Sequence, residues 1–94
     1  MDRKTILEMV EKCVCEDRNF QYGEPENSFA LIAEFWNSFL CRKHGVESIL
    51  ITPKDVAALM CLLKLARLAN DPNKLDSWVD LAGYAVCGGE LANG

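Results

Sequence analysis

Histidine, basic charge and long apolar runs are all scarce in this chain, and each scarcity closes off a class of function. His44 is the one histidine among 94 residues, so a zinc site built on imidazole has almost nothing to draw on. Lysine and arginine number 10 against 14 aspartates and glutamates, for a net charge of -4. That balance provides no basic stripe for the phosphates of a duplex, and nucleic acid is not expected as a main partner. Apolar stretches break off well short of the roughly 18 residues that a membrane span needs. The opening segment Met1-Asp2-Arg3-Lys4-Thr5-Ile6 leads straight into a pattern carrying Glu8 and Glu11, unlike the apolar centre of a secretory signal. A cytoplasmic protein with no membrane partner is the expectation.

What is present suits one small folded domain. Half of the residues are hydrophobic and 26 % are charged, enough for one core and too apolar for intrinsic disorder. Cys13, Cys15, Cys41, Cys61 and Cys87 make an odd set scattered through helical patterns, which reads as reduced thiols rather than a disulfide framework. Cys13 and Cys15 stand too close together for the usual zinc knuckle, and Cys41 and Cys61 are read as small buried apolar residues.

The apolar periodicity is helical throughout. Ile6, Met9, Val10, Cys13 and Val14 recur on one face, with Glu8, Glu11 and Lys12 on the other, predicting a helix over about residues 5–15. Residues 16–27 mix Gly23, Pro25 and Asn27 with Phe20 and Tyr22, an ordered loop with two aromatic anchors. Asn27 or Ser28 then caps a second helix carrying Phe29, Ile32, Ala33, Trp36, Phe39 and Leu40, which ends near Arg42 or His44 at Gly45. Residues 46–51 form a connection with a short extended piece. Thr52-Pro53-Lys54-Asp55 is the clearest helix start, with a capping hydroxyl, a proline in the first turn and an acid three positions after the cap. That third helix runs to about Leu68 or Ala69, where Asn70-Asp71-Pro72-Asn73 breaks it. A fourth covers about residues 75–87 and stops at Gly88-Gly89, leaving a frayed tail over residues 89–94. The expected fold is all-α: a compact bundle of about four helices in a single domain, with its core over about residues 5–88.

One local pattern calls for more than packing. Asp76 and Asp80 stand four residues apart in Asp76-Ser77-Trp78-Val79-Asp80-Leu81-Ala82-Gly83-Tyr84, so a helix carries both carboxylates on one face with Tyr84 a turn further on. Like charges at this spacing repel by a few tenths of a kcal/mol. Lys64 and Arg67 lie three apart on the preceding helix, which the turn at residues 70–74 brings back antiparallel. Two readings follow. The plain one is an interhelical set of salt bridges, each contributing about 0–1 kcal/mol. The sharper one is a nucleotide site, in which Asp76, Asp80 and Glu34 hold a divalent cation such as Mg2+ while Lys64 and Arg67 meet phosphate oxygens. Glu8 or Glu11 is a further acidic candidate. Tyr22, before Gly23, either stacks on a base beside Tyr84 or plugs the end of the bundle, and the plug is favoured. Trp36 and Trp78 read as core or interface packing, and Gly83 as a close approach between helices.

Tyr22-Gly23-Glu24-Pro25, Ile32-Ala33-Glu34-Phe35-Trp36, Lys64-Leu65-Ala66-Arg67 and the Asp76-to-Tyr84 segment, in that order, resemble a family of small phage and prophage proteins of unknown function. The resemblance covers about residues 18–88. More distantly, the chain looks like the all-helical MazG-type nucleotide pyrophosphohydrolases, which implies nucleotide handling with Mg2+ as cofactor. The MazG-type pattern has an E-E-x-x-E group and a later E-x-x-D, whereas this chain has Glu8 and Glu11 as E-x-x-E and then Asp76 and Asp80. The departure bears on hydrolysis more than on the helical fold. An alternative is a non-catalytic phage accessory protein that inhibits a host defence system by binding a host protein or sequestering a nucleotide signal. Half hydrophobic residues and two tryptophans are generous for a bundle of this size, so a homo-oligomer is expected.

Overall fold

Two of the helices begin at a side-chain cap, and the second at a proline. In a computed structural model describing residues 1–17 and 23–93, α1 (Arg3–Lys12) starts at Asp2, whose carboxylate accepts the Thr5 amide at 2.9 Å. It continues without a break into a π-helical turn, Cys13–Asp17. The loop anchors Phe20 and Tyr22 lie outside the described residues. α2 (Pro25–His44) starts before the expected Asn27 or Ser28, with Pro25 in its first turn and no side-chain cap from Glu24. The fixed φ of proline already suits a first helical turn, so it outweighs the polar candidates further on. Gly45, at φ 66°, closes α2 in the left-handed conformation, and its amide donates to the Cys41 carbonyl.

The connection to the next helix has no strand to pair with among the described residues, and a side chain takes that role. The Asn37 Nδ2 donates to the Ile51 carbonyl at 3.1 Å while Oδ1 accepts the Ile51 amide at 2.8 Å. One carboxamide thus satisfies both backbone groups of Ile51. α3 (Pro53–Asn70) opens with the expected reciprocal cap: the Asp55 amide donates to Thr52 Oγ1 at 3.3 Å, and the Thr52 amide to Asp55 Oδ2 at 3.0 Å.

After the turn at residues 71–74, α4 (Leu75–Asn93) runs straight through Gly88-Gly89, which corrects the expected stop there. Glycine at a helix end is needed only where the backbone turns left-handed. Here Gly88 stays helical, and a Cβ on it would lie 3.2 Å from the Ala57 Cβ, so its role is close approach to α3. Leu91, expected in a frayed tail, packs against the core.

α3 and α4 form the most extensively packed pair, an antiparallel hairpin. α2 packs mainly on α3, and α1 with its π turn lies on α4. The expected all-α bundle of four helices in a single domain is the observed one. The core joins Val14, Phe29, Ala33, Val56, Ala57 and Cys87, with Ile32, Trp36, Met60 and Tyr84 packed around it. Among the described residues no helix is long and apolar enough to cross a membrane.

Candidate functional site: a cleft between the π turn and the fourth helix

The cleft is made by a helix that would have to crowd its neighbour if it carried a side chain at one point. Gly83 of α4 faces Val14, and a Cβ there would come within 2.9 Å of Val14 Cγ1. The missing side chain lets the π turn sit directly on α4, as the sequence reading of Gly83 expected. The end of α1 and the first turns of α4 lie beside this contact. Between them opens a cavity of about 450 Å³ lined by Met9, Lys12, Cys13, Asp17, Asp76, Val79 and Asp80. A smaller one of about 70 Å³ shares Cys13 and Asp80 and extends along α4 to Gly83 and Tyr84. Asp80 stands where the two meet.

The cleft gathers three of the predicted residues, Asp76, Asp80 and Tyr84, with Lys64 at its edge. Lys64 Nζ lies 3.0 Å from Asp80 Oδ2, the lysine side chain 15 % exposed and the carboxylate side chain 37 %. The hairpin places them as predicted, and a pair this accessible contributes about 1 kcal/mol or less. Asp76 sits in the first turn of α4, where the positive end of the helix dipole favours a carboxylate. Tyr84 is half-buried, its ring centroid 6.2 Å from that of Phe29.

Other expected residues stand elsewhere. Arg67 is exposed on α3 and lines neither cavity. Glu34 is exposed on α2 and does not join Asp76 and Asp80: among the described residues no three His, Cys, Asp or Glu side chains form a group that could hold a metal ion. The outward face of α2 explains this, since Ala33 beside it is the residue that enters the core. Tyr22 lies outside the described residues. Trp36 packs on the core as expected, whereas Trp78 is exposed and its indole N–H donates to the Pro72 carbonyl at 2.8 Å. It fastens the start of α4 to the preceding turn.

Sequence reasoning missed Lys12, Cys13 and Asp17 as cleft residues. Helix α1 was expected to end at residue 15, with Asp17 in a loop, and no residue pattern announces a π turn. The charge balance inside the cleft is therefore three carboxylates, Asp17, Asp76 and Asp80, against Lys12 and Lys64. Cys61, one turn before Lys64 on α3, is half-buried. Burial pushes its thiol pKa up, and Sγ lies 3.7 Å from the Leu81 carbonyl as donor.

The molecule is thus an all-α four-helix domain with an open acidic cleft beside its last helix. A family model described as Domain of unknown function (DUF6378) matches residues 5–92, and the chain belongs to that family. Two curated relatives are both called Gene 55 protein. That of Mycobacterium phage L5 is 38 % identical over 81 residues, 86 % of this chain and 48 % of the relative. That of Mycobacterium phage D29 is 36 % identical over 84 residues, 89 % of this chain and 51 % of the relative. The chain spans about half the length of the curated relatives it matches. The expected kinship with phage proteins of unknown function is found, and neither the family description nor the relatives' names mention nucleotides. No solved structure matches the chain.

Proposed function

We propose that this protein handles nucleotides in the cytoplasm, taking the phosphates of a nucleoside triphosphate into the cleft together with Mg2+. The observation that carries this reading is the convergence of Asp76, Asp80 and Tyr84 on one cleft with Lys64 already paired to Asp80. Asp76 and Asp80 would hold the cation. Lys64, 3.0 Å from Asp80, would offer its ammonium to a phosphate oxygen. Tyr84 offers an aromatic face in the smaller cavity, and Lys12 a second positive charge across the larger one. Bound there, Mg2+ supplies charge neutralisation for phosphate and an acidified water, the chemistry on which a MazG-like pyrophosphohydrolase depends.

The test is calorimetric titration of the chain with each common NTP and dNTP, with and without magnesium, alongside a pyrophosphate-release assay. Magnesium-dependent binding that Asp80→Asn abolishes supports the reading. No heat and no turnover at millimolar nucleotide sinks it.

A second reading keeps the site and drops the chemistry. Among the described residues no third carboxylate joins Asp76 and Asp80 as a metal group, which favours retention of a nucleotide without hydrolysis. This is the behaviour of an accessory protein that sequesters a nucleotide signal or engages a host protein to blunt a defence system. Binding without pyrophosphate release selects it, and turnover eliminates it.

A further inference from the structure

Helix α3 is apolar on every side, and only part of it is covered. Val56 and Leu68 are buried, while Leu62 and Leu65, on the side turned away from α2, are 59 % and 48 % exposed. A helix of this kind belongs inside a larger packed body. Along the exposed side Ala58, Leu62, Leu65 and Ala69 recur at intervals of four, three and four residues. That spacing is the seam by which helices pack in bundles and coiled coils.

The neighbouring helix repeats it. On α4 Trp78, Ala82, Ala85 and Gly89 follow the same intervals, and all but the half-buried Ala82 are exposed. The Lys64–Asp80 pair and the contact of Cys61 Sγ with the Leu81 carbonyl set the register of the hairpin. They bring Leu65 level with Trp78, Leu62 with Ala82 and Ala58 with Ala85. The two seams therefore lie side by side on the back of the hairpin, opposite α2. No residue of either seam is charged, and their one polar side-chain group, the Trp78 N–H, already donates to the Pro72 carbonyl.

The surface area gives the size of what would cover them. The chain exposes 6817 Å², whereas a self-contained protein of its mass exposes about 5,400 Å². The surplus of about 1,400 Å² exceeds the roughly 800 Å² that each partner buries in a stable dimer. The seams also decide which partner fits. One carries leucines and the other mainly alanine and glycine, so the face is complementary to itself when turned about a two-fold axis running along the helices.

We propose that the backs of two α3–α4 hairpins pack on each other, forming a four-helix bundle from two copies of the chain. α3 of each copy then lies antiparallel on α4 of the other, with Leu62 seated over Ala82 of the second copy. The contact is isologous, so it closes at two chains instead of growing into a filament. α1, α2 and the cleft stand on the outer side of each hairpin, and both clefts stay open to ligand.

Sedimentation velocity on the intact chain over a range of micromolar concentrations tests the contact. The wild-type chain is expected to sediment as a dimer of the 10.5 kDa unit. Ala85→Arg is expected to weaken association by about a hundredfold or more, since the two-fold contact buries two unpaired charges in an apolar layer. Its helical circular dichroism should match wild type, because the side chain is exposed. Leu62→Ala is expected to weaken the dimer about thirtyfold, and the size exchange Leu62→Ala/Ala82→Leu to recover to within about threefold. Phe35→Asp, on the outer face of α2, should leave association unchanged. A 10.5 kDa species at every concentration overturns the proposal. So does a dimer indifferent to Ala85→Arg, a size exchange that stays as weak as Leu62→Ala, or a dimer that Phe35→Asp dissociates, which puts the contact on α2.

Discussion

α2 and α4 are nearly the same length, 20 and 19 residues, yet they occupy their surroundings in opposite ways. α4 has α3 along one side, α1 and the π turn along another, and some contact with α2. A helix enclosed on several sides cannot carry bulk everywhere, and α4 meets its neighbours through Gly83, Cys87 and Gly88. α2 packs chiefly on α3, and puts Phe29 on that side with full burial and Phe35 on the other with most of its surface exposed. The two helices show that close enclosure selects small residues, whereas one-sided packing leaves room for large ones on both faces. Only the enclosed helix contributes to the cleft.

The sharpest way to break this comparison is to truncate the two phenylalanines of α2. Phe29→Ala should lose about 3–5 kcal/mol in urea unfolding, by loss of buried surface and by leaving a cavity beside Tyr84. Phe35→Ala, measured at concentrations too low for association, should stay within about 0.5 kcal/mol of wild type. Equal losses would mean that the outer face of α2 is not the exposed surface described. Asn37→Ala comes next. It strips both partners from Ile51, and a loss of about 1–3 kcal/mol should accompany faster exchange of the Ile51 amide hydrogen. Unchanged exchange there would show that the connection is held by something else.

On α4 the glycines give a graded series. Gly83→Ala should destabilise by about 1–2 kcal/mol, the crowding of Val14 outweighing the gain in helix propensity. Val14→Ala in the same chain should relieve that crowding. Gly89→Ala, with open space around its Cβ position, should stabilise by about 0.5–1 kcal/mol. Thermal melts that rank the two in the opposite order would contradict close approach as the role of Gly83.

The smallest effect is the pH dependence of the α3 cap. The Thr52 amide, and then the Thr52 hydroxyl, hold the Asp55 carboxyl below the ordinary carboxylate range. A folded-state pKa below the unfolded one gives stability that is present above the unfolded value and lost as pH falls through the folded one. The difference in melting temperature between wild type and Asp55→Ala should therefore be largest near neutral pH and close in strong acid. A gap that persists undiminished in strong acid would refute the cap's dependence on ionised Asp55.

Much of this architecture is legible in the residues, for reasons that also explain the misses. Thr52-Pro53-Lys54-Asp55 is read correctly because its signal is local: three residue types within one turn, each with a defined role. The Lys64–Asp80 pair is legible because a short turn fixes two helices side by side. Arg67 and Glu34 fail as site residues because spacing gives the face of a helix but not which face a neighbour covers. Gly88-Gly89 misleads because the same residue serves a helix stop and a close approach, and only the position of Ala57 separates them. Asp17 escapes notice because the apolar pattern ends the first helix near residue 15 and the π turn carries it on to Asp17, while nothing in their spacing singles out Lys12 and Cys13.

The π turn has a consequence for how this helix tolerates changes in length. A π turn closes each ring with one residue more than an α turn does, so Cys13–Asp17 accommodates an extra residue inside a continuous helix. Removing one residue there would restore ordinary pitch and leave the residues on either side on their present faces, whereas a deletion within the regular part of α1 would turn everything beyond it by about 100° about the axis. The turn beside the cleft is therefore the point of this helix at which a single-codon change in length disturbs the packing least.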